Sequence, residues 1–379
     1  MKEKILLVDD DAMILAGLKR KLRNQFYIET ALSGDEALKM IKEKGPYAVI
    51  VSDYYMPGMD GIEFLCRVKT IDPESVRMML TGSADMSTAI KAVNEGSIFQ
   101  FHPKPCPADT LGQAIKSGID KYRTATNNHT QMEKVKMSLD QASKIQQKLL
   151  PKSDPEVEGF DIAGKSIWCD ETSGDYYDFI HPEEWGQDKI GIVVADVIGH
   201  GISAALLMTT VRASLKERIL SPGTGASIIS DVNKGLVRDI EELNLFITMF
   251  YSEIDLKDNC FRWVHAGHEP ALVYNPRKDS FETLTGDGVP LGVMVDWDYK
   301  ESETRIDSGH IILIGTDGIK EACNSKNEYF GNDRLKAVIR NHTQKSAKDI
   351  LDEVFDTLDG FRFPAERKDD ETLVIIKVL

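Results

Sequence analysis

Cysteine is sparse and shows no pairing pattern. Five residues, Cys66, Cys106, Cys169, Cys260 and Cys323, are scattered over 379 positions without a CxxC motif. Neither a disulfide framework nor a thiolate zinc site is suggested, and a reducing cytoplasm fits best. Basic charge is also in deficit. The chain carries 46 Lys and Arg against 61 Asp and Glu, a formal net charge of −15, with a pI near 5.1. That balance argues against a nucleic-acid surface, which needs a basic patch or stripe. No run reaches the roughly 18 apolar residues of a membrane span, and the apolar stretch in "MKEKILLVDD" is too short for a signal peptide. Internal repeats and low-complexity tracts are missing too. What remains, 42% hydrophobic and 28% charged residues, is ordinary for a soluble protein of two or three domains.

From Lys4 to about Tyr122, short apolar runs alternate with amphipathic helical stretches: "ILLV", "MILAGLKRKL", "YIETAL", "EALKMIKEK", "YAVIVSD", "IEFLCRVKTI", "VRMMLT", "STAIKAVNE", "IFQF", "TLGQAIKSGI". Five strand-then-helix repeats predict a doubly wound α/β unit with a parallel sheet and helices on both faces. Ligands of such folds bind beyond the carboxyl ends of the strands, where Asp9, Asp53, Thr81 and Lys104 fall. The chain then turns polar at "TATNNHTQ". A helix follows with Met132, Val135, Leu139, Ala142 and Leu149 mostly three or four apart, until Pro151 and Pro155 break it. This spacing suits a coiled-coil seam between two chains, and it suits equally a single amphipathic helix lying on a neighbouring domain.

Beyond Phe160 the pattern changes to strands with grouped helices, which predicts an α+β unit with antiparallel sheets. The strands are "FDIAGKSIW", "YYDFIH", "IGIVVAD", "FITMFYSEI", "CFRWVHA", "ALVYN", "IILIGTD" and "TLVIIKVL". Two long helices are expected over His200–Leu220 and Thr224–Ile240, and two more at "RLKAVIRN" and "AKDILDEVFDTL". The expected domains are 1–122, a helical linker over 123–150, and 151–379.

Asp9 and Asp10 close the first strand and Asp53 closes the third. Like charges gathered at one place demand a cation, and a hard ion such as Mg²⁺ suits oxygen ligands. Lys104 and the Thr81 hydroxyl add donors for an anion, so the group reads as a site for a phosphoryl on a carboxylate, with Asp53 the central candidate. The motifs "LLVDDD", "VSDYYMPGMDG", "LTGS" and "FHPKP" make this region resemble the receiver domain of bacterial response regulators. The resemblance implies a sheet order of 2-1-3-4-5 and a phosphoacceptor at Asp53. It further implies Mg²⁺ held by Asp10 and Asp53 with Asp9 in support, a switch hydroxyl at Thr81 and a switch aromatic at Phe101. Lys104 would contact phosphate, and a sensor histidine kinase would be the phosphodonor.

Downstream, four stretches set an acid at the edge of a hydrophobic run: "SGDYYDF" (Asp175), "VADVIGHG" (Asp196), "LIGTDGIKEA" (Asp317) and "ERKDDETLVIIKVL" (Asp369, Asp370). Singly, each is an ordinary strand-end turn. If they converge, an all-carboxylate site prefers Mg²⁺ or Mn²⁺ over zinc, and two ions about 4 Å apart activate water against a phosphate ester. The order of these motifs, with "ASKIQQKLLP", "HAGHEPALVY" and "GVPLGV", resembles the PPM family of metal-dependent serine/threonine protein phosphatases, in its bacterial SpoIIE-like branch.

By that resemblance Asp196 bridges two Mn²⁺ or Mg²⁺ ions, Asp175 completes one, and Asp317 and Asp369 hold the other, within two antiparallel sheets flanked by helices. The implied substrate is a phosphorylated STAS (anti-anti-sigma) protein, opposing a kinase that is also an anti-sigma factor. Two departures stand out. Ser173-Gly174-Asp175 replaces the family's usual Gly-Gly-Asp, and His200 lies four residues beyond Asp196, so its role is open, with packing at a helix N-terminus the plainer reading. "HAGH" lacks a third zinc ligand and reads as a turn lining the cleft. Two functions follow: a cytoplasmic response regulator with a phosphatase output, or a non-catalytic adaptor whose phosphatase-like domain holds a partner under receiver control. No helix-turn-helix follows the first domain, which disfavours a DNA-binding regulator.

Overall fold

The computed structural model describes residues 3–82, 98–181 and 189–379. Contacts divide the chain into two units, Met1–Lys136 and Met137–Leu379.

In the first unit, β1 (Lys4–Val8), β2 (Tyr27–Ala31), β3 (Val49–Asp53), β4 (Val76–Thr81) and β5 (Gln100–Pro103) form a sheet of order β2-β1-β3-β4-β5, every neighbouring pair parallel. The strands read as unbroken apolar runs because both faces are covered. Ile5 and Leu7 point into one core with Leu15 and Leu22 of α1 (Ala12–Leu22) and Leu111 and Ile115 of α4 (Ala108–Gln147). Leu6 and Val8 point into the other, with Ala37 and Ile41 of α2 (Gly34–Lys44) and Phe64 and Val68 of α3 (Gly61–Ile71). Side chains of Asp11, Ser33 and Asp60 cap the first three helices by accepting from backbone N–H groups. The helix expected at "STAIKAVNE" lies outside the described residues.

One expectation changes. The polar tract "TATNNHTQ" does not interrupt the chain; α4 continues through it for 40 residues. The tract holds no Gly or Pro, and its threonines satisfy their hydroxyls within the helix. Thr124 donates to Asp120 O at 3.0 Å, Thr130 to Thr126 O at 2.9 Å, and Thr126 to Tyr122 O.

The second unit is a sandwich of two sheets. One has the order β14-β11-β10-β9-β8, the other β13-β12-β15-β16-β7-β6, all antiparallel. The first comprises β8 (Tyr176–Ile180), β9 (Lys189–Val197), β10 (Ile247–Asp255), β11 (Cys260–Ala266) and β14 (Glu301–Arg305). The second comprises β6 (Glu156–Val157), β7 (Phe160–Ile167), β12 (Ala271–Asn275), β13 (Ser280–Leu284), β15 (Ile311–Gly315) and β16 (Glu371–Val378). Helices α5 (Ile202–Arg218) and α6 (Gly225–Ile240) cover the first sheet. The short α7 (Asp317–Glu321) with α8 (Gly331–Asn341) and α9 (Ala347–Arg362) covers the second. Strands β13 and β14 were not anticipated: "SFETL" is mostly polar with one charge and "ESETR" carries charges on alternate positions, both being sheet edges with a solvated side.

The period-two alternation is visible in three cores. Ile190, Ile192 and Val194 of β9 face the space between the sheets, and Val193, Ala195 and Val197 face α5 and α6. On β16, Val374 and Ile376 point between the sheets, whereas Leu373 and Ile375 meet α8 and α9. Phe250 of β10 is fully buried in the middle layer. Phe250→Ala should cost about 3–5 kcal/mol through lost burial and the cavity left behind. Urea unfolding of wild type and variant, followed by far-UV circular dichroism, measures the difference.

Candidate functional site

The first group of acids follows from strand ends. Asp9 leaves β1 buried, Asp53 ends β3 buried, and Asp10 is exposed between them. Asp11 is committed to capping α1 through Met13 N at 2.7 Å and Ile14 N at 3.3 Å, and its own N–H donates to Asp9 Oδ1 at 2.9 Å. Each of Asp9, Asp10 and Asp53 offers a carboxylate oxygen within 4.8 Å of the others. Lys104 Nζ lies 2.7 Å from both Asp9 Oδ2 and Asp53 Oδ1. Three carboxylates less one ammonium leave two negative charges, and oxygen donors of that net charge fit a divalent ion such as Mg²⁺. Burial raises the Asp53 pKa while the Lys104 hydrogen bond opposes it. Lys104 is lowered by burial and raised further by Asp53 and Asp9, with a net upward shift. Thr81, half-buried, donates to Gly82 O at 3.2 Å, and Phe101 packs partly buried against the core that holds Met79 and Ile98.

The second group follows from strand parity. Tyr177 and Phe179 face the space between the sheets, so Asp175, two residues earlier, lies on that side. Ile192 and Val194 put Asp196 there too, and because Tyr176 pairs with Ala195, the two aspartates are neighbours across the β8–β9 ladder. On the opposite sheet, Ile312 and Ile314 place Thr316 inward, and Val374 and Ile376 place Thr372 and Asp370 inward. Thr316 Oγ1 donates to Asp175 Oδ2 at 2.9 Å and accepts from Thr372 N at 3.1 Å, which joins the sheets at the mouth of the sandwich. Asp317 begins α7 directly after Thr316, and Asp369 stands two residues before β16.

These acids raise one another. Burial, then the charges of Asp317, Asp369 and Asp370, push Asp196 up to about 8. Burial and the charge of Asp196 hold Asp175 well above the carboxylate range against the opposing hydrogen bonds of Thr372 and Thr316. Asp317 is raised by burial and by Glu269, whose carboxylate is bound 2.7 Å away by Lys320. Asp369 keeps solvent access, yet it is raised by burial and by the charges of Asp317 and Asp370. Among the described residues, no other three potential ligands converge as closely as Asp9, Asp10 and Asp53. The second set spans a wider mouth, a donor set that fits two hard divalent ions sharing a central carboxylate.

Residues to which the sequence assigned no ligand role complete the mouth. Asp370 is buried and accepts from Cys169 N at 2.8 Å, Ser173 Oγ at 2.8 Å and Gly174 N at 2.9 Å. Ser173 is fully buried, and its Oγ accepts from Asp175 N at 3.0 Å. The turn after Asp196 is made possible by Gly199 and Gly201, at φ +83° and +79°. His200 between them is exposed, with Nδ1 2.7 Å from Asp170 Oδ2. His268 is buried and pushed down to about 3 by that burial, hence neutral; its Nδ1 is hydrogen-bonded to Thr248 Oγ1 at 2.7 Å. Thr248 pairs with Asp196 across β9 and β10, so the "HAGH" turn braces the strand that carries Asp196. Its first histidine reaches the carbonyl of its second.

Comparison with known proteins places these two sites in context. The model of the stage II sporulation protein E (SpoIIE) family matches residues 186–379, and that of the response regulator receiver domain matches residues 5–116. Phosphoserine phosphatase RsbU of Bacillus subtilis is 30% identical over 248 residues, 65% of this chain and 71% of the relative. Protein IcfG of Synechocystis is 27% identical across 70% of this chain, which spans only 43% of that relative. The SiaA-PP2C domain of Pseudomonas aeruginosa has the same fold, with a TM-score of 0.57 and 23% identity over 65% of this chain and 98% of that domain.

The raised acids give a pH dependence of known sign. An acid with a folded-state pKa above its unfolded value keeps a proton that the unfolded chain has lost. Metal-free stability therefore falls as pH rises from about 4, the unfolded value, toward the folded value of about 8 for Asp196. Asp196→Asn should be more stable than wild type at pH 8 and nearly equal to it at pH 4, by thermal unfolding with a chelator. Added Mn²⁺ should stabilise wild type at pH 8 by binding the folded state, and the variant much less.

Proposed function

The chain belongs to the SpoIIE family of PPM-type, metal-dependent protein phosphatases, with a response regulator receiver domain ahead of the phosphatase domain, and we propose that the receiver governs dephosphorylation of a STAS-type anti-anti-sigma protein. The observation that carries the catalytic reading is the crowding of Asp175, Asp196, Asp317 and Asp369 at the mouth between the sheets, where burial and the charges of neighbouring carboxylates, Glu269 in the case of Asp317, raise all four. Two Mn²⁺ or Mg²⁺ ions, when bound, supply the positive field that polarises a phosphate ester and activates water. Asp196 would be the shared ligand, Asp175 would complete one ion, and Asp317 and Asp369 would hold the other. Thr316 fixes the Asp175 carboxylate, and Thr248 with His268 steadies the strand beneath Asp196. The substrate is a phosphoserine or phosphothreonine, and the antagonist kinase doubles as an anti-sigma factor, in a cytoplasmic partner-switching circuit.

Within the receiver, the Asp53 carboxylate takes the phosphoryl group from the phosphohistidine of a sensor histidine kinase, the new O–P bond forming as the P–N bond breaks and the imidazole leaves, and Asp10 and Asp53, supported by Asp9, would hold Mg²⁺. Lys104 meets the added phosphoryl, and Thr81 and Phe101 respond to it. The domains are assigned as 1–122 and 151–379 with a helical linker over 123–150. The alternative is a non-catalytic adaptor; the buried Ser173 hydroxyl, which donates to Asp370 and accepts from the Asp175 N–H, favours the catalytic reading over it.

Turnover of p-nitrophenyl phosphate and of a phosphorylated STAS protein should require Mn²⁺ or Mg²⁺ and vanish with a chelator. Asp196→Asn should lose roughly a thousandfold or more, and acetyl phosphate should add one phosphoryl mass to wild type but none to Asp53→Asn. A wild-type chain without activity in Mn²⁺ defeats the catalytic assignment.

The linker is assigned to pairing between two copies. Met132 and Val135 of α4 are 73% and 59% exposed within one chain, and with the half-buried Leu139 they lie on one helical stripe. Leu139→Asp should shift light-scattering mass toward the monomer and weaken the rate response to Asp53 phosphorylation. Unchanged mass and response would make the linker a passive tether.

A further inference from the structure

Gln146 sits one residue before the end of α4 and is only 4% exposed, although its neighbours Ile145 and Gln147 are exposed. A buried primary amide needs both a donor and an acceptor partner. It finds both on one residue: Nε2 donates to Ser173 O at 2.6 Å, and Oε1 accepts from Ser173 N at 3.1 Å. This is the pattern by which one strand reads another, delivered by a side chain to an irregular segment that no strand pairs. Ser173 in turn is the hinge of the mouth. Its Oγ donates to Asp370 Oδ2 at 2.8 Å and accepts from Asp175 N at 3.0 Å. The segment is tightly seated, since a Cβ on Gly174 would come within 3.1 Å of Val197 O and 3.3 Å of Gly199 O, in the turn after Asp196. The helix end is itself held from α5, where Arg212 Nε donates to Leu149 O at 2.8 Å.

We propose that Gln146 is a positioning residue: its amide, presented by the last turn of α4, fixes Ser173 so that the Asp175 carboxylate meets Asp196 in metal-binding geometry. The affinity of the aspartate site for Mn²⁺ then depends on whether the end of α4 is docked, which makes metal occupancy the quantity through which this helix can govern catalysis. The proposal rests on the phosphatase reading for its consequence in turnover, but not for its consequence in metal binding. Asn carries the same amide on a stem one methylene shorter. Leu offers neither group, Glu offers only the acceptor and sets a carboxylate against Ser173 O, and Lys offers only donors.

The test uses full-length chains in an Asp53→Asn background, which weakens the receiver's own cluster. Gln146→Leu, Gln146→Glu and Ser173→Ala are compared with the parent and with Gln147→Leu, an exposed neighbour. Mn²⁺ binding is followed by the electron paramagnetic resonance signal of the free ion, alongside thermal unfolding and p-nitrophenyl phosphate turnover. Gln146→Leu and Ser173→Ala should each weaken Mn²⁺ binding by about tenfold or more, in the range found when groups supporting a metal ligand are removed. Turnover should recover substantially at saturating Mn²⁺, and Gln147→Leu should match the parent. A partly unfolded sample would show fewer sites of unchanged affinity, so unchanged affinity in both Gln146→Leu and Ser173→Ala overturns the proposal. If Gln146→Leu does not fold, Ser173→Ala decides. A parent that binds Mn²⁺ without turnover defeats the phosphatase reading, while the affinities still judge the clamp.

Discussion

Repulsion among crowded carboxylates, some buried and some partly exposed, is the constraint around which the second unit is built. A lone buried charge is unfavourable, and several of one sign at a single mouth are more so. The chain nevertheless directs Asp175, Asp196, Asp317, Asp369 and Asp370 to neighbouring strand ends, and the cost appears as upward pKa shifts in four of them. A sandwich tolerates this because the acids lie at its rim. The middle layer beneath them, with Ile192, Val194, Phe250, Ile314 and Val374, is predominantly apolar and supplies the burial that holds the rim together.

The same parity that packs the core also aims the acids. Strands buried on both faces cannot slip by one residue without exchanging their two cores, so register is strongly specified. On β9, the residues that fill the middle layer and the aspartate that follows them share one face. Asp369 and Asp370 show how much a single step matters. Asp370 follows the inward parity of Val374 and spends both its oxygens on three donors around Ser173, whereas Asp369 faces the other acids. Adjacent residues of one type thus hold different tasks, one supporting the mouth and one available to it.

This explains which parts were legible in the sequence. The receiver's acids end apolar runs of a parallel sheet, where strand ends and site coincide, so Asp9, Asp10, Asp53 and Lys104 could be placed together from pattern alone. The rim aspartates were legible as acids at strand edges, but their convergence depends on pairings between segments more than a hundred residues apart. Strands β13 and β14 escaped because these edge strands are largely polar and lack an apolar run. The polar tract in α4 misled because composition favours a break, while threonines that bond back to the preceding turn keep the helix intact. Gln146 left no signal of its own: one glutamine in "KIQQK" is buried and the next exposed, a distinction set by helical phase against a segment 27 residues away.

The two acid clusters meet the same repulsion in opposite ways. In the receiver, Lys104 sits 2.7 Å from both Asp9 and Asp53, a built-in cation that relieves the site without any ion bound. That arrangement suits the phosphoacceptor role proposed for Asp53, since the ammonium could follow the negative charge as a phosphoryl group came and went. At the rim of the second unit, the neighbours that act on Asp196 are Asp175, Asp317, Asp369 and Asp370, and the nearby Lys320 is already bound to Glu269. Lys320 lowers Asp317 in part, and among the described residues further relief at Asp196 is left to metal or to protons. A site left dependent on a bound ion is one whose occupancy can be controlled through its supports, because a small displacement of Ser173 changes the geometry of Asp175 without altering any ligand's charge. Control through neutral hydrogen bonds is the economical solution in such a place: moving a charged group would disturb every other acid at the rim, whereas an amide and a hydroxyl alter position alone.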